Sequence, residues 1–303
     1  MIRTQKNNKE KENIMSEVKL AVIGGSGVYD MESLVDVEER DVSTPFGSPS
    51  DTIVVGTLAG TRIAFLPRHG RGHRLTPAEV PYRANIWALK SLGVERIISI
   101  SACGSMKNKY QPRHIVIPDQ IYDNTKGRDY SFFGDGLVAH IGIADPFCPH
   151  LRQVLHQAVQ AAGGTVHMGG TFITIEGPRF STRGESNIYR SWGVDIIGMT
   201  AVPEAQLARE AEICYATMAH VTDYDVWHEE EEAVTVQMLI DNLMANAALS
   251  KKTIAEMVPL LGKERPCDCG QTLAAAIITD RARIPREKIE QLKPIVGKYL
   301  GEG

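Results

Sequence analysis

The chain has 303 residues, of which 43% are hydrophobic, and its 33 basic and 37 acidic residues give a net charge of -4. Such a chain can bury a sizeable core, so it is long enough for one large α/β domain or two ordinary ones. The charge balance argues against a nucleic-acid partner, and no stretch approaches the roughly 18 consecutive apolar residues of a membrane span.

The N-terminal residues 1–16 are polar and charged, and they lack the apolar region of a signal peptide. We therefore expect a cytoplasmic protein with a disordered tail at 1–16, in which Met15 is an alternative start. No linker or change of composition divides the remainder, which predicts a single domain at 17–303.

Short apolar runs bounded by glycine or turn residues predict buried strands. In chain order these runs occupy residues 18–25, 52–60, 61–70, 96–104, 114–120, 171–178, 194–200 and 213–223. Helical periodicity predicts helices at residues 80–93, 147–164, 182–193, 201–213 and 235–262. The alternation of strands and helices predicts a three-layer α/β fold.

Three of the predicted strands end in groups suited to an anion. GGSGVYD offers backbone amides and the Ser26 hydroxyl, PRHGRGH offers Arg68 and His69, and SACGS offers the Ser101 hydroxyl. Arg68 is expected to grip phosphate oxygens with a bidentate fork, and His69 to add a donor, charge-assisted if protonated. Each motif alone is also compatible with an ordinary turn or a solvated basic loop. GGSGVYD lacks the third glycine of a dinucleotide fingerprint and the lysine of a P-loop.

Two further strand ends carry groups suited to a planar ligand and to a sugar. TIEGPRFSTRGES presents Phe180 as an aromatic face and then opens a helix, with Ser181 and Thr182 as candidate N-caps. Glu176 and Arg179 in the same motif are expected to form a structural ion pair. GMTAVPEA places Met199 and the Thr200 hydroxyl at the start of another helix; a methionine is usually core filler, but here it is a candidate wall for a sugar.

VTDYDVW puts Asp223 and Asp225 in an apolar and aromatic setting directly after a predicted buried strand. Such a pair suits a surface turn, a metal site, or a pocket that grips a group needing protons. The sharp glycine turn of a calcium loop is missing, so no metal is expected there. The acidic run at 229–232 is expected to be a solvated face.

The five cysteines are too few for a secreted disulfide scaffold and show no C-x-x-C spacing of a zinc site. We therefore predict no metal, with Cys103 and Cys214 as buried thiols. The CDCG loop leaves two alternatives open, a Cys267–Cys269 disulfide or an unpaired dithiol. A Cys148–Cys214 disulfide depends on a distance that the sequence does not show.

Taken together, the motifs GGSG, PRHGRGH, ANIWALK, SACGS, DPFCP, TIEGPRFSTRGES, GMTAVPE and TDYDVW resemble those of the methylthioadenosine phosphorylases of the trimeric purine nucleoside phosphorylase family. The resemblance runs in unbroken order through residues 19–245 and weakens beyond them, where the CDCG loop is more like archaeal versions from hot environments. It implies a three-layer α/β/α nucleoside phosphorylase-like fold with a central mixed sheet, assembled as a homotrimer or a dimer of trimers.

The resemblance also implies which residues form the site. The phosphate-binding residues would be Ser26, Arg68, His69, Ser101, Ala102 and Thr200. Phe180 and Met199 would contact the base and the ribose of the nucleoside. The 5'-methylthio group would be lined by Val236, Leu239 and His140, the last from a neighbouring subunit. Many relatives carry threonine at the position of Ser26, and serine keeps the hydroxyl.

The implied reaction is phosphorolysis of 5'-methylthioadenosine to adenine and 5-methylthioribose 1-phosphate, with inorganic phosphate as co-substrate and no cofactor. Asp223 would hold a proton against N7 of the departing purine, and Asp225 would accept a hydrogen bond from the 6-amino group. A free aspartate has a pKa of about 3.9, so the site must raise the pKa of Asp223 or share the proton with the ligand. The pocket is therefore expected to be partly dry.

Three other functions compete with this one. A phosphorylase for 6-oxopurine nucleosides or methylthioinosine would be expected to carry asparagine at position 223. A 6-oxo group is a hydrogen-bond acceptor, so placing it against the ionised Asp225 carboxylate would cost about 1–3 kcal/mol of binding free energy. A nucleoside-binding sensor would bind adenine without turnover. An NAD-dependent dehydrogenase is disfavoured by the missing third glycine.

Overall fold

The computed structural model describes residues 18–25, 31, 33–228 and 236–301, and of residues 236–244 the backbone alone. The strands are β1 Leu20–Gly24, β2 Val35–Arg40, β3 Ile53–Leu58, β4 Thr61–Pro67, β5 Arg96–Ser105, β6 Ile115–Ile117, β7 Gln120–Asn124, β8 Val166–Met168, β9 Thr171–Ile175, β10 Ile196–Gly198 and β11 Cys214–Asp223. The helices are α1 Tyr82–Ser91, α2 Pro149–Ala161, α3 Arg183–Ser191, α4 Ala201–Glu210, α5 Val236–Met257, α6 Arg286–Gln291 and α7 Lys293–Leu300. Short 3-10 turns lie at Val258–Leu260, Asp268–Gln271 and Arg281–Arg283.

The described strands form one 11-stranded mixed sheet. Its main path runs β2-β3-β4-β1-β5-β10-β9-β7, and β11 branches from β5 and carries β6 and then β8. β5 pairs in parallel with β1 and β11 and antiparallel with β10. The sheet therefore divides at β5, which has three different neighbours.

Helices cover both faces of this sheet because successive side chains of a strand point to opposite sides. Ile97 of β5 packs with Leu89 of α1 and Leu207 of α4 on one face. Its neighbour Ile98 packs with Leu155 of α2 on the other face, together with residues of α5. Each such buried aliphatic side chain contributes about 1.5–3 kcal/mol relative to exposure.

The α/β fold with a large mixed sheet confirms the prediction of fold class, and all eight predicted strands and all five predicted helices are present. The capping prediction is confirmed at Thr182, whose hydroxyl accepts from the Glu185 amide while the Glu185 side chain accepts from the Thr182 amide. Strands β2, β7 and β8 were not predicted. No helix among the described residues is both long and apolar enough to span a membrane.

Candidate active site

The candidate site lies along β5, where its partner on one edge changes. β11 pairs along one edge of β5, from Arg96 to Gly104. On the other edge β1 pairs only as far as Ser99, and β10 begins at Gly104. Among the described pairings, residues 100–103 thus have no strand beside them on this edge, and ligands collect at such openings of an α/β sheet.

Arg68 reaches this opening from the end of β4 and forms a buried ion pair. Its Nε and Nη2 donate to the two carboxylate oxygens of Glu204 at 2.7 and 2.8 Å, and the two side chains are only 3% and 1% exposed. The Tyr215 hydroxyl donates to the same carboxylate at 2.8 Å. Burial opposes the charge, but Glu204 outweighs it and raises the pKa of Arg68 above its ordinary value, so Arg68 is a fixed cation.

The predicted bidentate fork from Arg68 to phosphate is wrong, because that fork grips Glu204. Nη2 also donates to the Ser99 hydroxyl at 2.7 Å, and Nη1 donates to the Ile100 carbonyl at 2.9 Å. A guanidinium has five N–H donors. Among the described residues the second hydrogen of Nη1 has no partner, so Arg68 can offer an anion one hydrogen bond and its charge.

The sequence predicted that His69 donates a hydrogen bond to an anion, and the structure differs from that prediction. Nδ1 of His69 lies 2.9 Å from the Leu75 carbonyl, and since a carbonyl only accepts, Nδ1 carries the hydrogen. Burial first, and the charge of Arg68 second, lower the pKa of His69 from its ordinary 6.5 to about 4. The neutral ring presents Nε2 as an acceptor, so it can bind a phosphate hydroxyl, or donate only after taking up a proton.

Ser101 and Thr200 bring two of the predicted anion motifs together. Their hydroxyl oxygens lie 3.1 Å apart, and both residues are buried. Ser101 lies in the opening of β5, next to the carbonyl that Arg68 binds, and Ala102 beside it is half-buried. We refer to Arg68, His69, Ser101, Ala102 and Thr200 as the anion end of the site.

The acidic pair forms the other end, which we call the base end, and it consists of Asp223 and Asp225. The two oxygens of Asp223 accept from the Thr222 hydroxyl at 2.6 Å and from the Asp225 amide at 2.8 Å. Oδ2 of Asp225 is buried and has no hydrogen-bond partner among the described residues. Burial raises the pKa of Asp225, opposed by a hydrogen bond from Ser186. The sequence predicted either a raised pKa for Asp223 or a proton that Asp223 shares with the ligand; the acid whose pKa burial raises here is its half-buried neighbour, Asp225.

Gly104 allows the base end to lie against β5. A Cβ atom on Gly104 would come within 3.0 Å of Oδ1 of Asp223 and 3.3 Å of Cβ of Asp225. The register between β11 and β5 shifts between Val221 and Asp223, which brings Asp223 opposite Gly104. Gly104 belongs to the SACGS motif, but nothing in the sequence indicated this role.

Met199 and Phe180 differ in how firmly they are held. The Met199 carbonyl accepts from Arg128 at 2.8 Å, and its sulfur lies 2.6 Å from where a Cβ on Gly177 would be. Met199 is thus fixed at the end of β10. Phe180 is 59% exposed, as an aromatic face awaiting a ligand would be.

The ion pairs around Phe180 correct one expectation. Glu176 and Arg179 do not pair with each other. Arg179 pairs with Glu185 at 2.7 Å, and Glu176 pairs with Arg128 at 3.0 Å. Arg179 therefore has a structural role, as expected, but with a different partner.

Several predicted residues are not brought to the site by the described structure. Ser26 lies outside the described residues, as does the acidic run 229–232, and for Val236 and Leu239 only the helical backbone of α5 is described. His140 is exposed, and its amide donates to the Ala276 carbonyl at 2.9 Å. A role across a subunit boundary stays a prediction for His140.

Two buried charged residues were missed by the sequence analysis. Glu204 appeared only as a letter in GMTAVPE, yet it holds Arg68 in place. Arg128 has no motif around it, but its guanidinium donates to the carbonyls of Met199 and Glu176 at 2.8 and 2.9 Å. The only sign of Glu204 in the sequence was an acid in the first turn of a predicted helix, and acids are common at that place on exposed helices.

Comparison with known proteins shows the family of the chain. The family model for the phosphorylase superfamily matches residues 19–259. The S-methyl-5'-thioadenosine phosphorylase of Geobacter sulfurreducens is 56% identical over 285 residues, which cover 94% of this chain and 100% of the relative.

Two solved structures are also similar. A crystal structure of methylthioadenosine phosphorylase from an antarctic soil metagenomic library has a TM-score of 0.89 and 48% identity, covering 92% of this chain and 99% of the other. Methylthioadenosine phosphorylase from Schistosoma mansoni, in complex with adenine, has a TM-score of 0.80 and 41% identity, covering 86% and 97%. The chain therefore belongs to the phosphorylase superfamily, within the family of its S-methyl-5'-thioadenosine phosphorylase relatives.

Proposed function

We propose that the chain phosphorolyses 5'-methylthioadenosine to adenine and 5-methylthioribose 1-phosphate. The observation that carries the proposal is the buried, unpartnered Oδ2 of Asp225 at the base end. A buried acceptor without a partner is costly, and a ligand that donates a hydrogen bond removes that cost. The 6-amino group of adenine is such a donor, and the Schistosoma mansoni relative was solved with adenine.

The spacing of the two ends supports a nucleoside between them. Ser101 and Gly104 are three residues apart on β5, which is about 10 Å at roughly 3.3 Å per residue. Gly104 adjoins the acidic pair and Ser101 adjoins Thr200. A ribose and a purine fit between an anion at Ser101 and the carboxylates.

In this proposal phosphate attacks C1' of the ribose while the bond from C1' to the purine breaks. Arg68 and the hydroxyls of Ser101 and Thr200 position the phosphate, with Ser26 as a further hydroxyl. Asp223 shares a proton with N7, so that the purine leaves without a full negative charge. Positioning and electrostatics carry the catalysis, and no covalent intermediate with the enzyme is needed.

The nucleoside would contact Phe180 and Met199 through base and ribose, and Val236, Leu239 and His140 through the 5'-methylthio group. The exposure of His140 supports its contribution to a neighbouring subunit's site in a homotrimer or a dimer of trimers. We propose a cytoplasmic enzyme of purine and methionine salvage that uses inorganic phosphate as co-substrate and no cofactor.

The test measures adenine release from 5'-methylthioadenosine with and without phosphate, beside adenosine, inosine and methylthioinosine. We expect release that requires phosphate, favours methylthioadenosine, and yields 5-methylthioribose 1-phosphate. Preference for the inosine compounds would reverse the assignment of the acidic pair. Release without phosphate would make the protein a hydrolase and remove the function proposed for the anion end.

A further inference from the structure

Four cysteines from three separate segments meet away from the active site. Cys148 caps the N-terminus of α2, Cys214 begins β11, and Cys267 and Cys269 flank the start of a 3-10 turn. Their four Sγ atoms all lie within 4.8 Å of one another. Three of the residues are buried, and Cys267 is half-buried. We call this group the four-cysteine cluster.

The spacing of the sulfurs matches a tetrahedral metal site. With metal–sulfur bonds of about 2.3 Å, four thiolates around one zinc ion lie about 3.8 Å apart. The Sγ of Cys267 lies 3.4 Å from that of Cys214 and 3.7 Å from that of Cys148. A disulfide needs about 2.05 Å and brings sulfurs together in pairs, whereas here all four are mutually close.

The surroundings of the four-cysteine cluster suit negative charge. The Leu151 amide, in the first turn of α2, donates to Sγ of Cys148 at 3.4 Å. Nη1 of Arg209 donates to Sγ of Cys269 at 3.4 Å. Donors of this kind hold the ligands of metal sites in orientation and offset the charge of their thiolates.

We propose that the four-cysteine cluster binds one zinc ion. Binding replaces four S–H bonds with four zinc–sulfur bonds and releases the thiol protons to solvent, which leaves a site with a net charge of -2. Arg209 and the N-terminus of α2 offset that charge. This proposal departs from our prediction of no metal, because that prediction looked for C-x-x-C spacing and these ligands come from distant parts of the chain.

The zinc ion would fix the segment that supports His140. Residues after the cluster bridge to the segment before α2: the Ile278 amide donates to the Val138 carbonyl at 3.0 Å, and the His140 amide donates to Ala276. The metal would thus be structural, anchoring the loop at 267–278 to the starts of α2 and β11. It takes no part in the proposed reaction.

The first experiment measures zinc in the full chain purified with a phosphine reductant and without chelators. We expect about one zinc ion per chain by elemental analysis. Chain stripped with a chelator and loaded with Co²⁺ alone should show the strong visible bands of tetrahedral cobalt and sulfur-to-cobalt charge transfer. The proposal is overturned if the reduced chain, whose thiols are shown to be free by titration, binds neither zinc nor cobalt. It is also overturned if mass spectrometry of protein purified without reductant finds the four cysteines in disulfides and the reduced form takes up no zinc.

Variants then assign the ligands. Cys269→Ser should lose the bound zinc, whereas Cys103→Ser, which removes a buried thiol outside the cluster, should keep it. Arg209→Gln should weaken zinc binding about 10- to 100-fold, because it removes a donor to a ligand sulfur. Equal zinc content in Cys269→Ser and Cys103→Ser would contradict the assignment. If Cys269→Ser does not fold, the cobalt spectrum of the unaltered chain decides.

Discussion

The anion end and the base end of the site are built on opposite principles. At the anion end Arg68 is already satisfied by the protein, since Glu204, Ser99 and Ile100 take four of its donors before any ligand arrives. At the base end Asp225 keeps a buried oxygen without a partner among the described residues. The anion end is thus held rigid in advance, and the base end gains its missing hydrogen bond only from the ligand.

This difference separates two kinds of effect. A change at the anion end disturbs a buried ion pair, so it should cost folding free energy as well as phosphate affinity. A change at the base end removes an interaction made with the reacting purine, so it should cost turnover with little effect on folding.

Replacement of the acid assigned to N7 should give the largest loss. Asp223→Asn is expected to lower kcat/KM for 5'-methylthioadenosine about 10²- to 10⁴-fold, because the departing purine loses its proton partner. The KM for phosphate should stay within about twofold, since the anion end is unaltered. Steady-state kinetics with each substrate varied would show this, and equal losses for both substrates would contradict the separation of the two ends.

The buried ion pair should dominate stability. Glu204→Gln leaves Arg68 charged and without its carboxylate, which is expected to lower the free energy of unfolding by about 3–5 kcal/mol. Urea denaturation measures this, and the KM for phosphate should rise in the same variant. The control is Glu290→Gln, which breaks an exposed pair with Lys293 and should change stability by no more than about 0.5 kcal/mol. Equal effects of the two variants would show that the buried ion pair contributes no more to the free energy of unfolding than an exposed pair does.

A methyl group at Gly104 should disturb the base end and the neighbouring Ile197 of β10, but not the anion end. Gly104→Ala places Cβ 3.0 Å from Oδ1 of Asp223, so we expect kcat/KM to fall about tenfold or more as the acid is displaced. Gly142→Ala meets no heavy atom within 4 Å and should be neutral. Unchanged kinetics in Gly104→Ala would mean that Asp223 and Asp225 can shift without loss of function. That result would contradict the conclusion that their close packing against Gly104 positions them for the reaction.

The smallest expected effect is a pH dependence of stability at the anion end. The folded state lowers the pKa of His69 from 6.5 to about 4, so between these values the unfolded chain binds more protons. The contribution of His69 to the free energy of unfolding is therefore fully present above about pH 6.5. It is lost as the pH drops toward 4, by about 1–2 kcal/mol after allowance for solvent screening. His69→Gln should flatten the acid limb of a plot of thermal midpoint against pH, and an unchanged limb would assign it to other groups.

The parts of the fold that were predicted correctly share one property, which is burial. The apolar runs at β1, β3, β4, β5 and β11 are recognisable because both faces of those strands are covered. β2 was missed because its residues, VDVEER, are polar and largely exposed. β7 is exposed in the same way, and β8 has only three residues. Sequence patterns report burial, and these strands place few side chains against the core, Ile121 of β7 and Val166 of β8 among them.

The candidate site divides in the same manner. Its motifs could be predicted because each follows a buried strand, and the structure brings Ser101 and Thr200 within 3.1 Å of each other. The partner of Arg68 could not be predicted, because Glu204 lies 136 positions further along the chain. The four-cysteine cluster could not be predicted for the same reason, since Cys148 lies 119 positions before Cys267.

The long separations within the site have a consequence for folding. The Arg68–Glu204 and Ser101–Thr200 contacts span 136 and 99 positions, and closing such loops costs chain entropy that local helices do not incur. The helices can form early, but the opening along β5 exists only once strands from both halves of the chain have joined the sheet. Recovered activity after dilution from denaturant thus reports the last global step of folding, and helical signal reports a much earlier one.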